Sequence, residues 1–349
     1  MGKCKVAQYQ KVLVTGGAGF IGANFLRYAI AHHPTWDLVV IDKLTYAGNL
    51  TNWQGIRDRL TFIEGDITNP EHVHAAVMGV DAIINFAAES HVDRSLHNPY
   101  PFIRTNIEGT LVLLEAARQH RVKRFLQIST DEVYGDLVNS DRHSQESDPL
   151  CPRSPYAASK ASAEHLVCAY GNSYGLDIVI TRGTNTYGAY QYPEKIIPLF
   201  ITNALSQRPL PIYGQGLAVR DYLHVEDHCA GIDLVLHHGV SGQAYNLGAR
   251  LEINGLQVAT KILQLLDLPS HEQSSRIAYV PDRLGHDYRY AVDPSLAESL
   301  GWQRRWTWEA GIAQTVKWYQ QNPQWWQNIR AKPSFQEHYQ NCNPRIITN

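Results

Sequence analysis

The sequence predicts an α/β protein built on a doubly wound parallel sheet, with a smaller C-terminal α/β domain beside it. Three observations carry this. Short apolar runs alternate with helical patterns through the first half of the chain, which is how strand–helix–strand units read. A glycine-rich turn, Thr15-Gly16-Gly17-Ala18-Gly19-Phe20-Ile21-Gly22, follows the first of those runs directly. Past Gly188 the rhythm breaks at Pro193, Pro198, Pro209 and Pro211, and the segments become short and mixed.

Taken in order, Val12-Leu13-Val14 is the first strand, and a helix is predicted from Ile21 to His32. Leu38–Ile41 and Leu60–Ile63 are the next strands, the latter followed by a helix from Glu71 to Met78. Ala82–Phe86 is the fourth strand, Leu111–His120 closes a long helix, Phe125–Ser129 is the fifth strand, and Asp177–Thr181 the sixth. Continuous apolar strands suit a sheet covered on both faces. The first domain is expected over residues 1–188, with segments around 220–245 returning to it. The second, including a helix over Val258–Leu266, spans 189–328, and 329–349 is expected to be a polar tail. The late tryptophans at 302, 306, 308, 318, 325 and 326 read as packing of terminal helices onto the core.

The chain has 349 residues, room for two domains of ~150 residues. A net charge of −2 gives no electrostatic footprint for nucleic acid or acidic membranes. Five cysteines without a CxxC pair argue against a disulfide framework or a zinc site, and a reducing cytoplasm is expected. No apolar run reaches ~20 residues, so no membrane span is expected. Nothing near Met1 reads as a signal peptide, and Val6 stands where a myristoylation signal needs Ser or Thr.

Gly16, Gly19 and Gly22 sit between a strand and a helix. There a turn without side chains lets backbone N–H groups approach a pyrophosphate at a helix N-terminus. This is the Rossmann arrangement, with GxxGxxG spacing and an extra glycine at 17. Asp42 ends the second strand and can accept hydrogen bonds from ribose hydroxyls, while repelling an added phosphate; NAD is therefore expected over NADP. Asp66-Ile67, after the third strand, is placed to meet the adenine, and Ala87-Ala88, after the fourth, lets a cofactor pass closely.

The chemistry concentrates in Ser129-Thr130-Asp131-Glu132-Val133-Tyr134-Gly135 and Tyr156-Ala157-Ala158-Ser159-Lys160. Tyr156 and Lys160 stand one helical turn apart and share a face. An ammonium beside a phenol lowers its pKa from ~10, so Tyr156 could take a hydroxyl proton while hydride leaves the same carbon. His224 and His228, four apart, imitate a metal pair, but no third ligand has sensible spacing and no metal is expected.

With the glycine turn, YxxxK and their order, roughly the first 190 residues resemble the extended short-chain dehydrogenase/reductase superfamily. Five further motifs, at 87–95, 129–135, 192–195, 220–222 and 282–287, resemble the nucleotide-sugar 4,6-dehydratases, most closely the dTDP-glucose 4,6-dehydratase family. The resemblance implies an NAD-dependent lyase acting on dTDP-glucose or a similar nucleotide sugar, and a homodimer paired through helices around 103–119 and 156–172. It implies Thr130, Asp131, Glu132, Tyr156 and Lys160 as catalytic residues, with Asp131 a protonated acid and Glu132 an ionised base. It extends the cofactor set to Phe20, Ile21, Lys43, Thr45, Ser90 and Thr105, and implies substrate contacts from His91, Asn185, Lys195, Arg220, Arg283 and His286. Two departures stand out: Thr186 replaces an Asn that borders the nicotinamide, and the substrate Asn is shifted by one residue at Asn254-Gly255. A UDP-sugar 4-epimerase or decarboxylase on the same scaffold, and a non-catalytic nucleotide sensor, remain the alternatives, with Asp131 the sharpest discriminator. The base, thymidine or uridine, stays open.

Overall fold

Twelve strands organise the chain: β1 (Lys11–Thr15), β2 (Asp37–Asp42), β3 (Leu60–Glu64), β4 (Ala82–Asn85), β5 (Arg124–Thr130), β6 (Ile178–Gly183), β7 (Asn185–Tyr187), β8 (Leu210–Tyr213), β9 (Val219–His224), β10 (Ala244–Leu247), β11 (Glu252–Asn254) and β12 (Ile277–Val280). The structure is a computed structural model and describes residues 9–138, 140–282 and 287–342. Seven strands form one parallel sheet in the order β10-β6-β5-β4-β1-β2-β3. β11-β9-β7 and β12-β8 make two small sheets in the C-terminal lobe.

The strands' alternation fills both faces of the large sheet. Val12, Val14, Val40, Ile84 and Leu126 point into one core, while Leu13, Val39, Ile41, Ile83 and Phe125 point into the other. The helix Phe20–His32 turns Gly22, Phe25, Leu26 and Ala29 inward, the i, i+3, i+4, i+7 stripe of a half-buried helix. The helix Pro155–Tyr174 has Ser154 accepting from the Ala157 N–H, Pro155 in its first turn, and left-handed Gly175 at its end. These signals fix the register that carries Tyr156 and Lys160.

A third core lies in the C-terminal lobe, where Ile197, Phe200, Val258, Ile262, Ile312 and Trp326 meet. The segment after 329, expected as a polar tail, is instead helical over Pro333–Cys342. Its apolar residues are few, but Phe335 and Tyr339 lie four apart on one face and bury against Tyr192 and Ile329. Average polarity hid that stripe. No described helix is long and apolar enough to cross a membrane.

Candidate active site

Strand order reverses between β1 and β4, because β2 and β3 continue to one side and β5 and β6 to the other. Loops leaving the two central strands diverge there, opening a crevice at the sheet's carboxyl edge. The glycine turn leaves β1 and Phe86-Ala87 leaves β4. A Cβ on Gly16, whose φ is +65°, would lie 2.7 Å from the Ala87 backbone. One on Gly22 would lie 2.5 Å from the Gly16 carbonyl oxygen. A Cβ on Gly19 meets only that carbonyl, at 3.3 Å, so bareness there serves access to the crevice. Gly19 is also the N-cap, and no side chain caps this helix start. Its first N–H groups therefore suit an anion.

Every predicted cofactor residue lines this crevice: Gly16, Gly19, Phe20, Ile21, Gly22, Asp42, Lys43, Thr45, Asp66, Ile67, Ala87, Ala88, Ser90, Thr105, Tyr156 and Lys160. Its space, counting the part open to solvent, is about 1600 Å³. Asp42 accepts from the backbone N–H groups of Ala18 and Leu44 at 2.9 and 2.8 Å. Burial raises its pKa against those two bonds. Burial would also raise Asp66, but Lys43, 2.7 Å away, and Thr68 together hold it below the ordinary carboxylate value.

The residues predicted to be catalytic also line the crevice. Thr130 is the last residue of β5; its hydroxyl donates to Asp131 Oδ1 at 3.2 Å and accepts from the Glu132 N–H at 3.3 Å. Asp131 is 3% exposed, and its Oδ2 has no hydrogen-bond partner among the described residues. Burial, then the charges of Glu132 and Asp221, push its carboxyl well above the usual range, outweighing Arg220 and the Thr130 bond. The expected protonated acid thus has a physical cause.

The expected lowering of the Tyr156 phenol by Lys160 is not what the chain alone produces. Burial and the negative charge of Glu132 raise the phenol, against its interaction with the Thr130 side chain. The Lys160 ammonium is spent 2.6 Å from the Ile128 carbonyl, and burial lowers it to about 8 despite Glu164.

A second pocket of about 1350 Å³ adjoins the first and shares Glu132, Asn185, Thr186, Gln191, Glu194 and Lys195 with it. Of the predicted substrate residues, Asn185 and Lys195 line both pockets, His91 and Arg220 the second, and Thr130 the first. Arg283 and His286 lie outside the described residues. Arg220 is more committed than expected: Nη1 donates to the carbonyls of Val219 and Tyr288, and Nη2 to that of Asp287. Asn254 forms a capping box with Gln257 at the start of the helix Gly255–Leu265, so it is Gly255 that lines the pocket. Thr186 donates to the Thr184 carbonyl at 3.1 Å and meets His228 Nδ1 at 2.8 Å. His224 and His228 are buried separately, and burial lowers each to about 4.

Sequence reasoning missed several supports. Thr15, Asn85 and Gln127, on three adjacent strands, form a buried chain that receives the Ala87 N–H and so fixes the crevice wall. Asn106 bonds both backbone groups of Glu89 and donates to Ser159, tying the loop after β4 to the Tyr156 helix. Glu194, 4% exposed, accepts from Arg94 Nε at 3.0 Å. Its place beside Lys195 in the 192–195 motif was the available signal; the asparagines had none, because their partners are remote in sequence.

Comparison with known proteins narrows the reading. The family model for GDP-mannose 4,6 dehydratase matches residues 13–315. The dTDP-glucose 4,6-dehydratase of Streptomyces niveus is 44% identical over 328 residues, 92% of this chain and 96% of the relative. The crystal structure of a dTDP-glucose 4,6-dehydratase from Streptomyces venezuelae with NAD and TYD bound superposes with a TM-score of 0.88 at 44% identity. That match covers 92% of this chain and 100% of the other. The UDP-glucose 4-epimerase of Thermus thermophilus, solved as an NAD complex, reaches 0.82 at 29% identity over 90% of this chain and 100% of its own. The epimerase shares the scaffold at lower identity than the dehydratases, and the chain belongs to the nucleotide-sugar 4,6-dehydratase family of the extended short-chain dehydrogenases/reductases.

Proposed function

We propose that this protein dehydrates dTDP-glucose to its 4-keto-6-deoxy sugar, using NAD. The observation that carries this reading is Asp131: a buried carboxyl, raised in pKa, beside Glu132 at the end of β5. A 4-epimerase has no need of a proton donor there; loss of water does. The crevice residues would hold NAD+, which would supply the acceptor for the C4 hydride and its return to C6. Tyr156 takes the 4-hydroxyl proton, with Lys160 in support, and Thr130 hydrogen-bonds the 4-oxygen. The C4 ketone acidifies C5–H, which Glu132 removes. Asp131 protonates the departing 6-hydroxyl, so one water leaves across C5–C6; the hydride's return to C6 is completed as Glu132 gives its proton back to C5. The two carboxyls serve as acid and base because their surroundings hold them in different protonation states.

Asp42, which ends β2 and lines the crevice, would meet the ribose hydroxyls and favours NAD over NADP. The diphosphate is held by Asn185 and Lys195, with Arg220 assisting; His91 borders the sugar. A homodimer fits the exposed apolar side chains of Ile103 and Leu111 on the first helix expected to pair, and of Tyr174 at the end of the second. The setting is cytoplasmic deoxysugar synthesis. Incubation with dTDP-glucose tests the reading: a 4-keto-6-deoxy product absorbs near-ultraviolet light in alkali, with no net reduction of NAD. An epimerised sugar, or an unchanged one, would sink it.

A further inference from the structure

We propose that the last helix, Pro333–Cys342, completes the sugar-nucleotide pocket, and that His338 on it is a substrate-positioning residue that reads the hydroxyls of the hexose. This rests on the function proposed above. The helix lies beyond the stretch matched by the family model, which ends at 315. Even so, Phe335, His338 and Tyr339 all line the second pocket, together with Lys195, Asn185 and Glu132.

The docking is built. Arg330 is buried; its Nη1 donates to Thr202 Oγ1 at 2.7 Å and its Nη2 to Asn203 Oδ1 at 2.8 Å. Its guanidinium also stands over the rings of Phe335 and Tyr339, at 5.8 and 5.7 Å. Asn203 in turn donates to the Tyr339 hydroxyl at 3.1 Å. Those contacts belong to the C-terminal lobe. On the other side the helix meets the cofactor half, where Phe335 packs on Tyr192 at 5.9 Å and the same cluster takes in Tyr46 and Ala47. It therefore bridges both halves across the pocket.

His338 lines the second pocket beside Glu194, which lines both. Its Nε2 is 3.6 Å from Glu194 Oε2, and its ring meets His91 edge-on at 5.0 Å. Burial, then the Arg94 charge, lower it to about 4, so the imidazole is neutral and offers one donor and one acceptor. A carboxylate between two histidines suits neutral hydroxyl groups, which both give and receive hydrogen bonds. Phosphate would be repelled by Glu194, so the diphosphate belongs toward Lys195. Among the described residues these three could also crowd a cation. Arg94, bonded to the same carboxylate oxygen, opposes one.

The test uses full-length His338→Ala and His338→Gln, with kcat and KM for dTDP-glucose and calorimetric binding of dTDP, which lacks the hexose. Loss of hydrogen bonds to the sugar should raise KM by about tenfold in His338→Ala with kcat largely kept. His338→Gln, which retains a donor and an acceptor, should recover part of it, and dTDP binding should not change. An unchanged KM, or equal losses for dTDP and dTDP-glucose, would overturn the assignment. A wild-type chain that binds dTDP without converting dTDP-glucose would instead refute the proposed function, and the inference with it.

Discussion

The sheet edge and the C-terminal lobe hold their halves of the site by different means. At the edge, functional groups sit at or just past strand ends: Gly16 after β1, Ala87 after β4, Thr130 and Asp131 at the end of β5. Seven paired strands fix those positions, and backbone fills the space a Cβ would need at Gly16 and Gly22. In the lobe, the pocket is assembled by side chains from the helix Ile196–Leu205, from β8 and β9, and from the last helix. Its geometry depends on packing between separate elements. The difference teaches where rate and affinity reside: edge changes should act on turnover or cofactor, lobe changes on substrate affinity.

The largest effect expected is at the edge. Asp131→Asn keeps the shape but removes the proton donor. Elimination should slow about 10²–10⁴-fold, the usual reach of general acid catalysis. Oxidation at C4 should persist, so single-turnover absorbance should show reduced nicotinamide accumulating where wild type shows little. Full turnover in Asp131→Asn would break the division of acid and base. The sign with pH follows from the raised carboxyl: the acid is present below its folded pKa and lost as pH rises through it. An alkaline limb in kcat that belongs to Asp131 should therefore vanish in the variant.

The next effect separates two glycines. Gly22→Ala would place a Cβ against backbone that cannot yield, 2.5 Å from the Gly16 oxygen and 2.9 Å from Gly17 Cα. Stability should fall by about 1–3 kcal/mol, as for other overpacked sites, and NAD binding should weaken too. Gly19→Ala meets only one atom at 3.3 Å, so its thermal midpoint should stay near wild type while NAD affinity falls about tenfold. Thermal melts paired with NAD titrations read both. If Gly19→Ala bound NAD normally, that bare position would not face the pyrophosphate.

What was legible in the sequence divides along the same line. The alternation of apolar runs revealed strands β1 to β6, since burial on both faces leaves a run that needs no distant partner to be recognised. The glycine turn, Asp42 and the Thr130–Glu132 triplet were visible for a similar reason: each follows a strand end immediately. Arg220 was read as a substrate contact; it lines the second pocket, but three carbonyls also hold it. Those carbonyls come in part from another segment that folds back on β9, which no spacing along the chain announces. Phe335 and Tyr339 were lost in a polar stretch, because two buried rings in one helix barely move its average composition. The Tyr156 expectation failed differently. Spacing put Lys160 one turn away but could not show its ammonium turned to the Ile128 carbonyl.

The smallest effect probes the seam between the halves. The helix Val225–His238 follows β9 of the lobe yet packs against the helix Phe20–His32 under the large sheet. Asp233 on it receives His33 Nε2 at 2.8 Å and has His237 Nδ1 at 3.3 Å, while His33 stacks on Trp36 at 4.1 Å. Burial would raise Asp233, but the two histidines win and hold it down to about 2. Burial would lower His237, but its bonds to Asp233 raise it. The carboxylate therefore stabilises the fold above its unfolded pKa of ~3.9, a contribution lost as pH falls toward 2. The imidazolium stabilises it below ~6.5, a contribution lost as pH rises through the raised folded value. Both act together only from about pH 4 to about pH 6.5. In urea melts near pH 5.5, Asp233→Asn should cost about 1–2 kcal/mol, and the gap should narrow by about pH 8. Neither kcat nor KM for the sugar nucleotide should move, because no member of the cluster lines either pocket. A gap of constant size across that range would mean the clamp holds through packing and neutral hydrogen bonds alone. A shift in KM would mean that the seam carries strain from the sheet edge into the lobe, and the two halves would not be separable as rate and affinity.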